Sequence, residues 1–130
     1  MLKKIMAAAL SALTVMSLCA VTVSADRKNS GWTFEINRDV GHTGYRPKDN
    51  TSSIYIRVDT GYSLYVNPYG RNGSGAEVPC GLQQYAPIGS ATHVINSVKE
   101  DGYSEAALKL YRVGGRQECT GVWSPDSGQF

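Results

Sequence analysis

The stretch "SIYIRVDTGYSLYVN", residues 53–67, decides the fold. Ile54, Ile56 and Val58 alternate with Tyr55, Arg57 and Asp59. Successive side chains of a strand point to opposite faces, so this segment has one apolar face and one wet face. "YSLYVN" repeats the pattern less cleanly, with Tyr62, Leu64 and Val66 inward and Tyr65 outward. Only Asp59–Tyr62, "DTGY", separates the two runs, and its Gly61 reads as the centre of a tight hairpin turn. Alternation of this kind belongs to antiparallel sheets with one side on the core.

The same period extends in both directions. In "WTFEIN" Trp32, Phe34 and Ile36 fall on one side. Downstream, "NPYGRNGSGAEVP", Asn67–Pro79, is rich in Gly, Asn and Pro and is expected to be a long loop. "LQQYAPI", Leu82–Ile88, and "THVINSV", Thr92–Val98, read as strands, and "KEDGYSEA" between Lys99 and Ala106 as a turn. "EAALKLYRV", Glu105–Val113, has helix-favouring residues, but it is short and stops at Gly114-Gly115. As a strand it places Ala106, Leu108 and Leu110 inward and Lys109 and Tyr111 outward, which suits its neighbours. "QECTGVW" supplies a terminal strand, ended by Ser124-Pro125 because proline has no N–H for a ladder. The fold class is therefore all-β: a small antiparallel β-sandwich, immunoglobulin-like or jelly-roll-like, of about seven or eight strands.

At the N-terminus, Lys3 and Lys4 precede the apolar run Ile5–Val23, and "VSA" stands before Asp26. This is the pattern of a secretory signal peptide cleaved after Ala25. The expected division is residues 1–25 as leader and 26–130 as one domain, destined for the extracellular space. Removing Lys3 and Lys4 leaves 11 basic and 11 acidic residues. Nucleic acid needs clustered positive charge, so it is not an expected partner. No later segment is long and apolar enough to span a bilayer, so no stable membrane insertion is expected after cleavage. Cys80 and Cys119 remain of the 3 cysteines. Two thiols in an exported chain are expected to form a disulfide, either between the sheets or from the loop to the last strand. A loop of about 40 residues closed this way would contribute ~4 kcal/mol in the chain-entropy model. A catalytic Cys80 is the alternative that export argues against.

Catalytic patterns are scarce. His42 and His93 are the only histidines, and no four-ligand metal set accompanies them. No G-x-S-x-G elbow is present, so neither metal nor cofactor is expected and an enzyme, such as a small hydrolase, is disfavoured. Tyrosine is more suggestive, with 8 in the chain. Tyr55, Tyr65 and Tyr111 fall on wet faces and Tyr69 in the Gly-rich segment, which makes these four the candidate ligand-contact aromatics. Cross-strand tyrosine pairs that only stabilise a sheet are the competing account. In the tail "ECTGVWSPDSGQF", Cys119, Gly121 and Trp123 share one strand face, and Pro125 and Asp126 turn the chain away. Gly121, Trp123, Pro125 and Asp126 are thus expected to close the fold structurally.

Two motifs carry a resemblance. Arg46, Lys48, Asn50, Ser52, Ser53, Tyr55 and Ile56 form a basic "R-x-K-x-N-x-S-S-x-Y-I" stretch. Thr120, Gly121, Trp123, Ser124, Pro125, Asp126 and Ser127 form a "T-G-x-W-S-P-D-S" ending. Together they resemble a group of small uncharacterised secreted proteins of Gram-positive bacteria. The resemblance implies bacterial export and a compact domain, and it transfers no activity. The functional expectation is a non-enzymatic extracellular interaction protein that contacts a cell-wall component or another secreted protein. The alternative is a bacteriocin-like antibacterial or signalling polypeptide.

Overall fold

The computed structural model describes residues 29–114 and 117–128. The expected leader, residues 1–25, lies outside them. In chain order the strands are β1 (Ser30–Phe34), β2 (Val40–His42), β3 (Arg46–Pro47), β4 (Ile54–Thr60), β5 (Leu64–Arg71), β6 (Val78–Pro79), β7 (Gln84–Ala86), β8 (Ala91–Val94), β9 (Glu105–Arg112) and β10 (Cys119–Ser124). Among the described residues there is no helix. One sheet has the order β1-β10-β4-β8. The other is built on the β9–β5 pair, with β2 and β3 on the outer side of β9, and β6 and β7 on the outer side of β5. All pairings between these strands are antiparallel. The fold is a β-sandwich of ten strands, more than expected because both edges of the second sheet are assembled from short pieces.

The alternation reads directly into the core. Ile54, Ile56 and Val58 from the first sheet meet Leu64, Val66, Leu108 and Leu110 from the second, all fully buried. Removing such side chains from water contributes ~1.5–3 kcal/mol each, an upper bound because the unfolded chain is itself partly collapsed. Trp123 and Phe34, also from the first sheet, belong to the same buried core. Glu105–Arg112 of the helix-prone segment is strand β9, at the centre of the second sheet, so pairing on both sides overrides local propensity.

Several expectations are corrected. Gly61 is not a hairpin turn: β4 and β5 belong to different sheets, and the chain crosses the core edge at this residue. Its φ is +99°, and a Cβ there would lie 2.5 Å from Cys119 Sγ, so only glycine fits the corner. Asn67–Arg71, expected in a loop, continues β5. Pro68 is tolerated there because it stands between β7, which pairs Leu64–Val66, and β6, which pairs Tyr69 and Gly70. Ile36 is 55% exposed because β1 ends at Phe34, and Tyr62 lies on the surface rather than inward. The terminal strand β10 lies between β1 and β4.

The Cys80–Cys119 disulfide is also corrected, since both residues are buried free thiols. Cys80 N–H donates to Pro68 O at 2.9 Å, whereas Cys119 Sγ accepts from Tyr62 N–H at 3.3 Å. Pro68 and Tyr62 are separated along β5 and its approach by roughly 15–20 Å. A disulfide requires Cα atoms within about 7 Å. Burial, ahead of the Asp101 carboxylate, pushes the Cys80 thiol above its ordinary range. Both thiols should therefore resist iodoacetamide in the folded protein and react in denaturant without reductant, as read by peptide mass mapping. A linked Cys80–Cys119 peptide pair would contradict this arrangement.

Candidate functional site

Two regions gather polar or aromatic side chains. The first joins the two sequence motifs. Just after β3, Lys48 N–H donates to Ser104 O at 2.9 Å, which turns its side chain into the molecule. Its Nζ donates to Asp126 Oδ1 at 2.5 Å, Ser52 O at 2.6 Å and Pro125 O at 2.9 Å. An ammonium has three protons, so this set satisfies it fully. Asp126 Oδ2 accepts Asp49 N–H at 2.9 Å. The Lys48 and Asp126 side chains are both 0% exposed. Around them, Ser53 and Ser127 hydroxyls meet at 2.7 Å, and the Arg46 guanidinium lies 5.6 Å from the centre of the Trp123 ring.

A buried ion pair of this kind contributes little net free energy, because desolvation of both charges offsets their attraction. Its effect is positional: it fastens the segment before β4 to the segment after β10. Asp126, expected to turn the chain away from the sheet, instead holds the buried Lys48 ammonium. Lys48 is the partner that sequence reasoning missed. A lysine in a polar loop normally indicates a solvated charge, and nothing local marks this one as buried.

Beside this junction, Tyr55, His93, Ser124, Asp126 and Ser127 line a cleft of about 280 Å³. Serine, histidine and aspartate are the residue types of a hydrolytic triad. Their contacts serve the fold instead. Ser124 Oγ donates to Asp126 O at 3.1 Å, and the Asp126 carboxylate faces Lys48. His93 packs edge-on against Tyr55, with ring centres 5.9 Å apart. His42 belongs to the other sheet, and its Nδ1 is 3.0 Å from Thr43 O. Among the described residues no cluster of His, Cys, Asp and Glu is placed to hold a metal ion.

The second region is the outer face of the β9–β5 sheet. Register sets Tyr85 on β7 opposite Tyr65 on β5, Tyr65 opposite Tyr111 on β9, and Tyr111 opposite Val40 on β2. The Tyr65 and Tyr85 rings meet edge to face at 5.6 Å. They are 39% and 50% exposed, so the pair is presented to solvent. Four residues along β5, Tyr69 covers Ala107 and receives the Lys109 ammonium 4.3 Å from its ring centre. Burial first, and then the neighbouring Tyr69 hydroxyl, raise the Tyr111 phenol above its usual range. Beyond lies a charged end. There Arg71 pairs with Glu105 at 3.4 Å and stacks 3.9 Å over the Tyr45 ring, and Lys109 meets Glu77 at 3.4 Å.

Of the four candidate aromatics the structure brings together Tyr65, Tyr69 and Tyr111, and leaves Tyr55 on the opposite sheet. Tyr85 completes the row and was missed, because its segment was assigned no faces. Arg112 was also missed. Its guanidinium lies 4.3 Å over the Phe34 ring and donates to the carbonyls of Arg38, Gln117 and Glu35, tying the ends of β1 and β10 to β9.

Two antiparallel sheets over a single apolar core, with tyrosines in register on an outer face, define a small β-sandwich module. The chain belongs to the DUF2712 family, described as a protein of unknown function, whose model matches residues 19–127. That span contains both sequence motifs and ends at Ser127, beside Asp126. No curated protein matches the chain, and no solved structure does. Among the described residues no helix is long and apolar enough to cross a membrane.

Proposed function

We propose that this is a secreted, non-enzymatic interaction protein whose outer tyrosine face contacts a cell-envelope component or another secreted protein. The observation that carries the reading is the register of Tyr85, Tyr65 and Tyr111 across three neighbouring strands, with Tyr65 and Tyr85 open to solvent. Exposed tyrosines supply large, rigid contact area at low entropic cost. The leader-like residues 1–25 support export, and the motif resemblance supports a Gram-positive source. The engagement of Asp126 and Ser124 in holding the fold supports a non-enzymatic role.

Co-sedimentation of the purified protein with the envelope fraction of producing cells tests the reading. Tyr65→Ser combined with Tyr85→Ser should weaken binding by about 30-fold, the effect of losing a hot spot of ~2 kcal/mol. Tyr55→Ser, on the other sheet, should leave binding unchanged. Both changes sit on exposed or half-exposed positions, and circular dichroism should show an intact fold. Sedimentation that ignores the Tyr65 and Tyr85 changes would remove this face from the function.

A further inference from the structure

Resting on that interaction reading, we infer that the tyrosine end of the β9–β5 sheet binds an uncharged saccharide. Val40, Tyr111, Tyr65 and Tyr85 form a row across four adjacent strands. At about 4.8 Å per strand the row is roughly 14 Å long, a length suited to a short run of sugar rings. Alongside it, Tyr62, Ser63, Tyr85, Val113 and Gly114 line a cleft of about 410 Å³. None of these side chains carries a formal charge. Tyr62 and Val113 are 40% and 49% exposed, so the cleft has an apolar rim.

The two charges flanking Tyr111 along β9 are engaged within the protein. Arg112 donates to three backbone carbonyls, and Lys109 lies between Glu77 and the Tyr69 ring. Neither is aimed at the row as a partner for phosphate or carboxylate. A peptide ligand fits this face less well. β5 and β9 are paired on both sides, so their backbone groups bond within the sheet and the face offers side chains alone. A bound peptide would bring unsatisfied N–H and C=O groups, which peptide recognition by strand addition normally meets at a free edge. A pyranose lays its C–H face on a phenol ring and offers hydroxyls to phenol oxygens. Ser63 Oγ accepts Ile88 N–H at 2.9 Å, which leaves its own O–H to donate to a sugar.

The experiment is a proton NMR titration of the purified protein, following tyrosine ring signals. The uncharged probes are cellohexaose and chitohexaose, the anionic probe is a galacturonate hexamer, and the peptide probe is a proline-rich decapeptide. Saturable shifts of Tyr65 and Tyr85 with an uncharged hexasaccharide are expected. Tyr85→Ser should weaken that binding by about tenfold, and Tyr55→Ser should leave it unchanged. Binding of only the anionic hexamer or only the peptide overturns the inference, as does no shift with either uncharged sugar. If the sugars fail while envelope sedimentation still depends on Tyr65 and Tyr85, the saccharide is wrong and the interaction reading stands. If sedimentation is also indifferent to those residues, both are wrong.

Discussion

Lys48→Met should destabilise the fold by about 3–5 kcal/mol, because it leaves the Asp126 carboxylate buried with no cation beside it. Asp126→Leu should cost a similar amount by stranding the ammonium. For a domain of about 100 residues each kcal/mol lowers the melting temperature by roughly 4–8 °C. A fall of about 12 °C or more in a calorimetric scan is therefore expected for each single change. The double variant Lys48→Met/Asp126→Leu should recover most of the loss, since apolar groups of similar volume often replace a buried pair without penalty. Moderate salt should change none of these values, because neither side chain meets solvent. Single variants that lose less than about 1 kcal/mol would show the pair to be solvent-exposed, as surface pairs behave.

Gly121→Ala should abolish folding altogether. The β10–β4 register shifts between Thr120 and Gly121, and this bulge brings the Arg57 carbonyl close to Gly121. A Cβ there would lie 1.9 Å from Arg57 O and 2.7 Å from Trp32 Cζ2. The first obstacle is backbone at the centre of a sheet and has no room to retreat. The second is an indole that covers the glycine from the neighbouring strand, its Nε1–H donating to Val122 O at 3.3 Å. Gly31→Ala on the adjacent β1 is the control. Its added carbon would meet nothing closer than Gly121 O at 3.9 Å, so the fold should persist. Circular dichroism and yield of folded protein separate the two outcomes, and a folded Gly121→Ala protein would mean that β10 can slide past β4.

What was legible in the chain was what repeats locally. Ile54–Val58, Leu64–Val66 and Ala106–Leu110 alternate because one face of each strand is dry, and the pattern survives whichever strands pair. For the same reason the alternation is silent about partners. Gly61 illustrates the gap: a hairpin and a corner between sheets both need a glycine and both leave Leu64 and Val66 inward, so the turn alone cannot separate them. Pro68 misled in the opposite direction. A proline argues against a strand unless its missing N–H falls where no neighbour needs it, and that depends on β6 and β7 stopping either side of it. Lys48 and Asp126 are 78 residues apart, and their pairing is a property of the closed sandwich. The cysteines carried a count but no distance, and the fold sets them toward opposite ends of β5. Tyr65 and Tyr111 were assigned outward correctly, while their alignment with Tyr85 required the strand register.

The position of β10 bears on timing. It supplies the partner of both β1 and β4, and the anion for Lys48 is Asp126, just beyond it. Until about residue 126 has emerged from the ribosome, β1 has no neighbour in its sheet and the Lys48 ammonium has no buried anion to meet. Contacts this distant in sequence form slowly, since the loop must close before any pairing rewards it. The first sheet and the buried ion pair therefore close last, once β1 and Asp126 are both in place.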